Sequence, residues 1–385
     1  CVGCLRCTTQ YPEMVTILPN PERDRLGDAY LAPDQVDTIL LESRTGAVPV
    51  RGAGYRGRFG GAGWDGMWTD MSEIVRPTRD GIHGREFIST AVDLGGKPDF
   101  LHLDAAGDFS DALPPLLSLP LPLIFEAPPS GTLTQTLGRV LTGAAAAIET
   151  LALLPLPQLI EWGIAGPHVV AVVGREHEPL LDQLTAVPRM LELDGWHEPF
   201  FARLTSRYPE TVIAVRVPMD ADPVPLARAG VGVVHLVADL HGRVGESFAL
   251  DLILAAHRRL LAERLRERVT LLGSGGIVAA EHVPKAILAG LDAVALDSAA
   301  WVALQGELEG ECRNRETARV RFKKLPEAWG MQRLQNLAGA WRDQLLEILG
   351  AMGLREVRRL RGELGRCMFQ RDLEREAFGE IEGFG

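Results

Sequence analysis

From about Asp99 to Trp301 the chain alternates short apolar runs with longer stretches in which apolar residues return at helical spacing. The runs predict strands at Phe100–Leu103, Leu121–Phe125, His168–Val173, Met190–Leu193, Val212–Val217, Val231–Val237, Val269–Leu272 and Ala293–Leu296. Phe248–Leu265 and Glu281–Leu288 are among the amphipathic stretches between them. Such alternation means parallel strands joined by crossover helices. Eight strands in roughly 200 residues match a compact (β/α)8 TIM-type barrel. Strand order is not written in the pattern, so a doubly wound open sheet has the same signature.

Runs such as "TVIAVRV" and "GVGVVHLV" are apolar throughout, as expected of strands buried on both faces. A charged or ionisable residue that interrupts such a run near its C-terminal end falls where barrel chemistry is located. Arg216 does so, and a buried guanidinium needs an anion. A flavin ring or a substrate carboxylate would serve, and so would a structural bridge to Asp220 or Asp239. His235 and His241 flank Asp239 at the end of the next run and are candidates for proton transfer.

The flanks divide the rest. Residues 1–50 are a cysteine-led start and connector, 51–98 a Gly- and Trp-rich irregular segment expected to cap the barrel, 99–311 the barrel, and 312–385 a charged helical extension interrupted at Gly353. Tyr55, Phe59, Trp64 and Trp68 are the expected capping aromatics. Gly52, Gly54 and Gly57 form a dinucleotide-type fingerprint, but "RFGGAGWDG" follows where a helix is required. Arg79, His83 and Arg85 stand in a charged stretch suited to a lid.

The net charge of −11 over 385 residues removes nucleic acid as a partner, since that role needs a basic surface. The longest apolar stretch, Val140–Ile160, is broken by Glu149, Pro155 and Pro157. It falls short of the roughly 18–20 uninterrupted residues a membrane helix needs. With no secretory pattern either, a cytoplasmic location is expected.

Three of the five cysteines, Cys1, Cys4 and Cys7, open the chain at a three-residue step. The spacing matches the first three ligands of the bacterial ferredoxin run, with Tyr11-Pro12 where the fourth Cys-Pro would stand. The reading is a 4Fe–4S site whose fourth ligand lies outside the sequence in view. A zinc knuckle or unconnected thiols are the alternatives.

"LLGSGGIVAAEHVPKAI" runs from an apolar strand through Ser274, Gly275 and Gly276 toward a helix. Glycines let backbone approach a ligand, and a helix N-terminus offers free N–H groups to an anion. Late in a barrel this predicts a phosphate cradle, with Asp297 and Ser298 alongside at the end of the next strand.

The stretch from Thr270 to Gln305, together with "RPTRDGIHGREFISTAVDLG" and "GLREVRRLRGELGRCMF", resembles the FMN-binding domain of the glutamate synthase family. The likeness is to a divergent stand-alone branch with an N-terminal ferredoxin-like motif. It implies FMN at the C-terminal mouth, with Arg216 in place of the family's flavin-facing lysine. It also implies that Ser274, Gly275, Gly276, Asp297 and Ser298 lie around the phosphate. Two features depart from the family. Only Cys312 remains of its second cysteine group, and "ADLHGRVGES" replaces its Gly-rich run after the sixth strand.

The expected protein is an iron–sulfur flavoprotein oxidoreductase. It would pass electrons between a 4Fe–4S cluster, FMN and a small substrate, served by other redox subunits or a ferredoxin-type donor. Arg216 would stabilise reduced flavin, and His235 or His241 would move protons. A glutamate synthase subunit with a separate ammonia source, and a flavin-free scaffold or electron-transfer subunit, are the alternatives.

Overall fold

The computed structural model describes residues 6–18, 27–48, 60–69, 87–98, 100–109, 113–129 and 131–381. Eight parallel strands close into a barrel. They are β1 (Leu123–Glu126), β2 (Ala152–Pro155), β3 (Val169–Val173), β4 (Met190–Asp194), β5 (Val212–Pro218), β6 (Val233–Val237), β7 (Thr270–Ser274) and β8 (Ala293–Leu296), with β8 returning to pair with β1. β1, β7 and β8 are buried at every position, which is why their sequences carry no polar alternation.

Two strand assignments from the sequence are corrected. Phe100–Leu103 is no barrel strand; Phe100, Leu101 and Leu103 are exposed. The missing strand is β2, hidden in "LALLPLP". Pro155 there ends a strand rather than breaking a longer helix, because a proline is tolerated where no further ladder donor is needed.

Both ends of the barrel are covered. At the N-terminal end, Val92–Gly95 and Leu116–Leu119 form an antiparallel pair. Gly95 N donates to Thr270 Oγ1 at 3.2 Å. A Cβ on Gly232 would meet Gly96 N at 2.3 Å, so two backbones touch there. At the C-terminal mouth, Trp64 is buried against Phe248, and its Nε1 donates to Gly276 O at 3.0 Å. Tyr55 and Phe59 lie outside the described residues.

The C-terminal extension is one 25-residue helix, Glu327–Ala351, followed by short turns and the helix Gln370–Phe378. Gly353, at φ 72°, stands just past the end of the long helix. That helix packs against Pro33–Thr45 and Gln135–Ala147. Trp341 Nε1 donates to Glu42 Oε2 at 2.8 Å, and Arg333 Nη2 to Ser43 Oγ at 2.5 Å. The early helix and the late helix are thus one layer on the barrel. Among the described residues, no helix is long and apolar enough to cross a membrane.

Candidate active site at the barrel mouth

Strands of a closed barrel send alternate side chains inward, and at the C-terminal end five strands send in ionisable or hydroxyl groups. Glu126 ends β1, Glu192 lies in β4, Arg216 in β5, His235 in β6, and Ser274 ends β7. Asp297 follows β8. Arg216 joins two carboxylates, with Nε 2.6 Å from Glu192 Oε1 and Nη1 2.8 Å from Glu126 Oε1. His235 continues the chain, with Nδ1 2.8 Å from Glu192 Oε2 and Nε2 3.1 Å from Ser274 Oγ.

Arg315, from the loop beyond β8, completes it. Its Nη2 lies 2.5 Å from Asp297 Oδ2 and 3.2 Å from Ser274 Oγ, its Nη1 3.3 Å from Glu126 Oε1, and its Nε donates to Ala238 O. Three carboxylates, two guanidiniums, an imidazole and a hydroxyl form one connected network, buried except at its arginines.

Burial sets the charges, and the partners then adjust them. Burial alone would raise the Glu126 carboxyl, but Arg216, Arg315 and His235 hold it down at about 2. Glu192 is lowered too, burial being outweighed chiefly by Arg216 and His235. Asp297 is raised, because burial and the nearby Glu126 exceed what Arg315 returns. Burial opposes the charge on Arg216, but Glu126 and Glu192 raise its pKa and keep it charged. Glu126 Oε2 is buried and, among the described residues, has no hydrogen-bond donor. An ionised oxygen in that position is an open acceptor within the mouth.

The glycine turn lies beside the network. Gly275 and Gly276 have φ of 101° and 72°. A Cβ on Gly275 would meet Asp239 O at 2.4 Å, and one on Gly276 would meet Gly242 Cα at 2.6 Å. Three glycines from the loops after β6 and β7 therefore meet backbone to backbone. The helix that follows begins only at His282, so the turn is not at a helix N-terminus as the sequence suggested. Asp297 accepts from Ser298 N at 2.5 Å, capping its own short helix.

Of the sequence-predicted residues, the mouth brings together Arg216, His235, Ser274 and Asp297, with Gly275 and Gly276 adjoining. Ser298 is buried, its Oγ 3.1 Å from Asp297 Oδ1. The partners proposed for Arg216, Asp220 and Asp239, are replaced by Glu126 and Glu192. His241 is not beside His235 in the network; its Nε2 is 2.7 Å from Asp28 Oδ2. Cys7 is exposed. Cys1, Cys4, Arg79, His83, Arg85 and the Gly52–Gly57 fingerprint lie outside the described residues.

Sequence reasoning missed Glu126, Glu192 and Arg315. Glu192 interrupts "MLELD" just as Arg216 interrupts "AVRV", so the same criterion would have found it. Arg315 lies in a charged loop with no periodicity.

A family model described as the conserved region in glutamate synthase matches residues 182–354. That span holds Glu192, Arg216, His235, Ser274, Asp297 and Arg315. This chain carries the glutamate synthase conserved region. Over nearly its whole length it is similar to archaeal-type glutamate synthase (NADPH) of Dehalococcoides mccartyi, at 23% identity across 94% of this chain and 85% of the relative. It is likewise similar to archaeal glutamate synthase (NADPH) of Archaeoglobus fulgidus, at 25% identity across 100% of this chain and 89% of that one. The Methanocaldococcus jannaschii protein of that name is 32% identical, over 48% of this chain and 38% of its own. Among solved structures, a flavocytochrome b2 mutant with pyruvate bound aligns at TM-score 0.49 and 12% identity, covering 91% of this chain and 85% of that one. Glu126 and Asp28 lie outside the family-model match, so the glutamate synthase region alone does not account for the whole mouth.

Proposed function

We propose that this glutamate synthase-type barrel is an FMN-dependent oxidoreductase acting on a small substrate at its C-terminal mouth. The observation that carries the reading is the buried network of charged and hydroxyl groups from Glu126 to Asp297 in a barrel with the glutamate synthase conserved region. Two features fit the flavin. Gly242, Gly275 and Gly276 pack backbone to backbone and so fix the two loops in the region where barrels hold phosphate. Glu126 Oε2, unmatched among the described residues, is an acceptor that suits a ligand N–H. FMN, when bound, supplies hydride and single-electron chemistry. Gly275 and Gly276 would hold its phosphate end and Arg216 would flank its ring.

The chain's own residues supply the rest. Glu192 orients His235 through Nδ1, leaving Nε2 to exchange a proton with Ser274 Oγ or with a substrate in its place. Arg216, locked by two carboxylates, is a fixed positive charge rather than a mobile one. The relatives' names support amino-group transfer to a 2-oxo acid as the reaction to test first. A 4Fe–4S cluster on Cys1, Cys4 and Cys7, fed by a redox partner, is the proposed electron entry and rests on cysteine spacing.

A flavin-free scaffold is a second reading, favoured by one observation. Arg216 is already neutralised by Glu126 and Glu192, and Arg315 already reaches Ser274 and Asp297. Anaerobic purification followed by denaturation decides between the two. Released FMN, with 2-oxoglutarate-dependent reoxidation of the reduced protein, is expected. Absence of flavin after reconstitution overturns the oxidoreductase reading and leaves the scaffold.

A further inference from the structure

Beside the mouth, three ligand-type side chains from distant parts of the chain turn toward one point. Asp28 precedes the first long helix, His241 lies in the loop after β6, and Glu311 in the loop after β8. His241 Nε2 is 2.7 Å from Asp28 Oδ2 and 4.0 Å from Glu311 Oε2. The three ligand atoms lie within 4.8 Å of one another.

Each group is oriented from behind. Asp28 Oδ1 accepts from Tyr30 N at 2.9 Å and Leu31 N at 2.8 Å, so Oδ2 is the oxygen left facing His241. Oδ2 also accepts from Cys312 N at 3.2 Å. Glu311 Oε1 accepts from Ala29 N at 3.1 Å, which turns Oε2 to the same side. The His241 ring stacks on Tyr30 with centroids 5.2 Å apart, and Tyr30 Oη is anchored to Gly276 O at 2.7 Å. Hydrogen bonds and packing that fix the unused atom of each ligand are what hold metal ligands in place.

We propose that Asp28, His241 and Glu311 bind a divalent first-row metal ion of nitrogen and oxygen preference. With metal–ligand bonds of about 2.1 Å, neighbouring donors in a tetrahedral or octahedral shell stand about 3.0–3.4 Å apart. The observed separations lie on both sides of that range. Insertion therefore needs Asp28 and His241 to part slightly and Glu311, whose side chain is 63% exposed, to close in. Two carboxylates and a neutral imidazole leave a doubly negative site that a dication neutralises. Arg313, two residues beyond Glu311, is committed to Asp239 at 2.5 Å and does not compete for these carboxylates. The exposed side of Glu311 leaves the remaining positions to water. The ion would join the segment that follows the N-terminal cysteines to the two loops flanking the mouth. This site is independent of the flavin reading.

Mn2+ is the probe, because thiolates such as Cys1, Cys4 and Cys7 favour softer metals and do not confuse the count. The full chain, stripped with EDTA and dialysed, is titrated while the free-ion resonance is followed by EPR. One Mn2+ is expected per chain, with binding lost in His241→Ala and weakened at least tenfold in Glu311→Gln. The ion should also raise the melting temperature of the parent protein and not that of Glu311→Gln. Glu311→Gln changes a surface side chain, so its fold is not at issue. No stoichiometric uptake at millimolar Mn2+, or undiminished affinity in Glu311→Gln, overturns the site and leaves a plain Asp28–His241 hydrogen bond. Flavin released from the same samples tests the earlier reading separately.

Discussion

Arg315 Nη2 stands 2.5 Å from Asp297 Oδ2, so a residue from outside the barrel is paired with the residue that follows its last strand. The pair is asymmetric in exposure: Asp297 is fully buried, whereas Arg315 retains a fifth of its surface. Removing the arginine would leave a buried carboxylate without a cation, and that is costlier than losing the attraction itself.

Arg315→Ala is therefore expected to cost about 2–3 kcal/mol of stability, somewhat less than a fully buried pair because one partner meets water. Urea unfolding measures it. A cost below about 0.5 kcal/mol would mean the guanidinium spends its time in solvent.

Arg216 should be the most sensitive residue of the mouth. Arg216→Met leaves Glu126 and Glu192 facing each other without their shared cation, at a cost of about 3–5 kcal/mol. Adding Glu192→Gln should recover part of that loss, and a double-mutant cycle reads the coupling. Strict additivity would show that the two side chains do not act together.

Gly276→Ala places a methyl against Gly242 Cα at 2.6 Å and Tyr30 Oη at 3.1 Å, on a backbone with φ of 72°. Backbone cannot yield as a flexible side chain does, so a cost above about 2 kcal/mol is expected. If the glycine junction also holds a phosphate, flavin content falls in the folded fraction. Gly131→Ala, with open space around its Cβ, is the control.

Acid should weaken the fold before Glu126 titrates. His282 is buried, its Nδ1 accepts from Val278 N, and burial lowers its pKa from 6.5 to about 4. The unfolded chain takes up this proton as pH falls through 6.5, while the folded chain resists until about 4. Stability is thus fully present above 6.5 and declines by roughly 3 kcal/mol across that window. His257, also lowered to about 4 by burial and by Arg266, adds in the same direction. Glu126 acts lower, its contribution being present above about 4.5 and lost toward about 2. Denaturant midpoints at pH 7, 5.5 and 4.5 test this. His282→Asn should flatten the slope between 6.5 and 4 and leave the steeper acid limb intact.

Much of the barrel was legible, because strands buried on both faces read as unbroken apolar runs. The failures have physical causes. Pro155 and Pro157 hid β2 inside a broken apolar stretch, and Phe100–Leu103 is apolar but left in solvent. At the mouth, Arg216 and His235 were visible as polar interruptions of such runs. Glu126 was less so, because it sits at the boundary where a strand meets its loop. Arg315 and the Asp28–His241 contact were invisible, since both depend on which loops the closed barrel brings together. His241 was grouped with His235 by its nearness in sequence. In the fold, the chain turns between them, and Asp239 uses its carboxylate on the backbone of that turn.

The bond from Trp341 to Glu42 joins residues 299 apart in the chain. Closing so long a loop adds only modestly to its entropic cost, because that cost grows with the logarithm of length. The effect on rate is larger, since contacts this distant in sequence slow the search. During synthesis Ser43 and Glu42 of the helix Pro33–Thr45 must wait for Arg333 and Trp341, 290 and 299 residues later. The early and late helices act as a clasp, and cutting away Pro33–Thr45 would take Ser43 from Arg333 and Glu42 from Trp341.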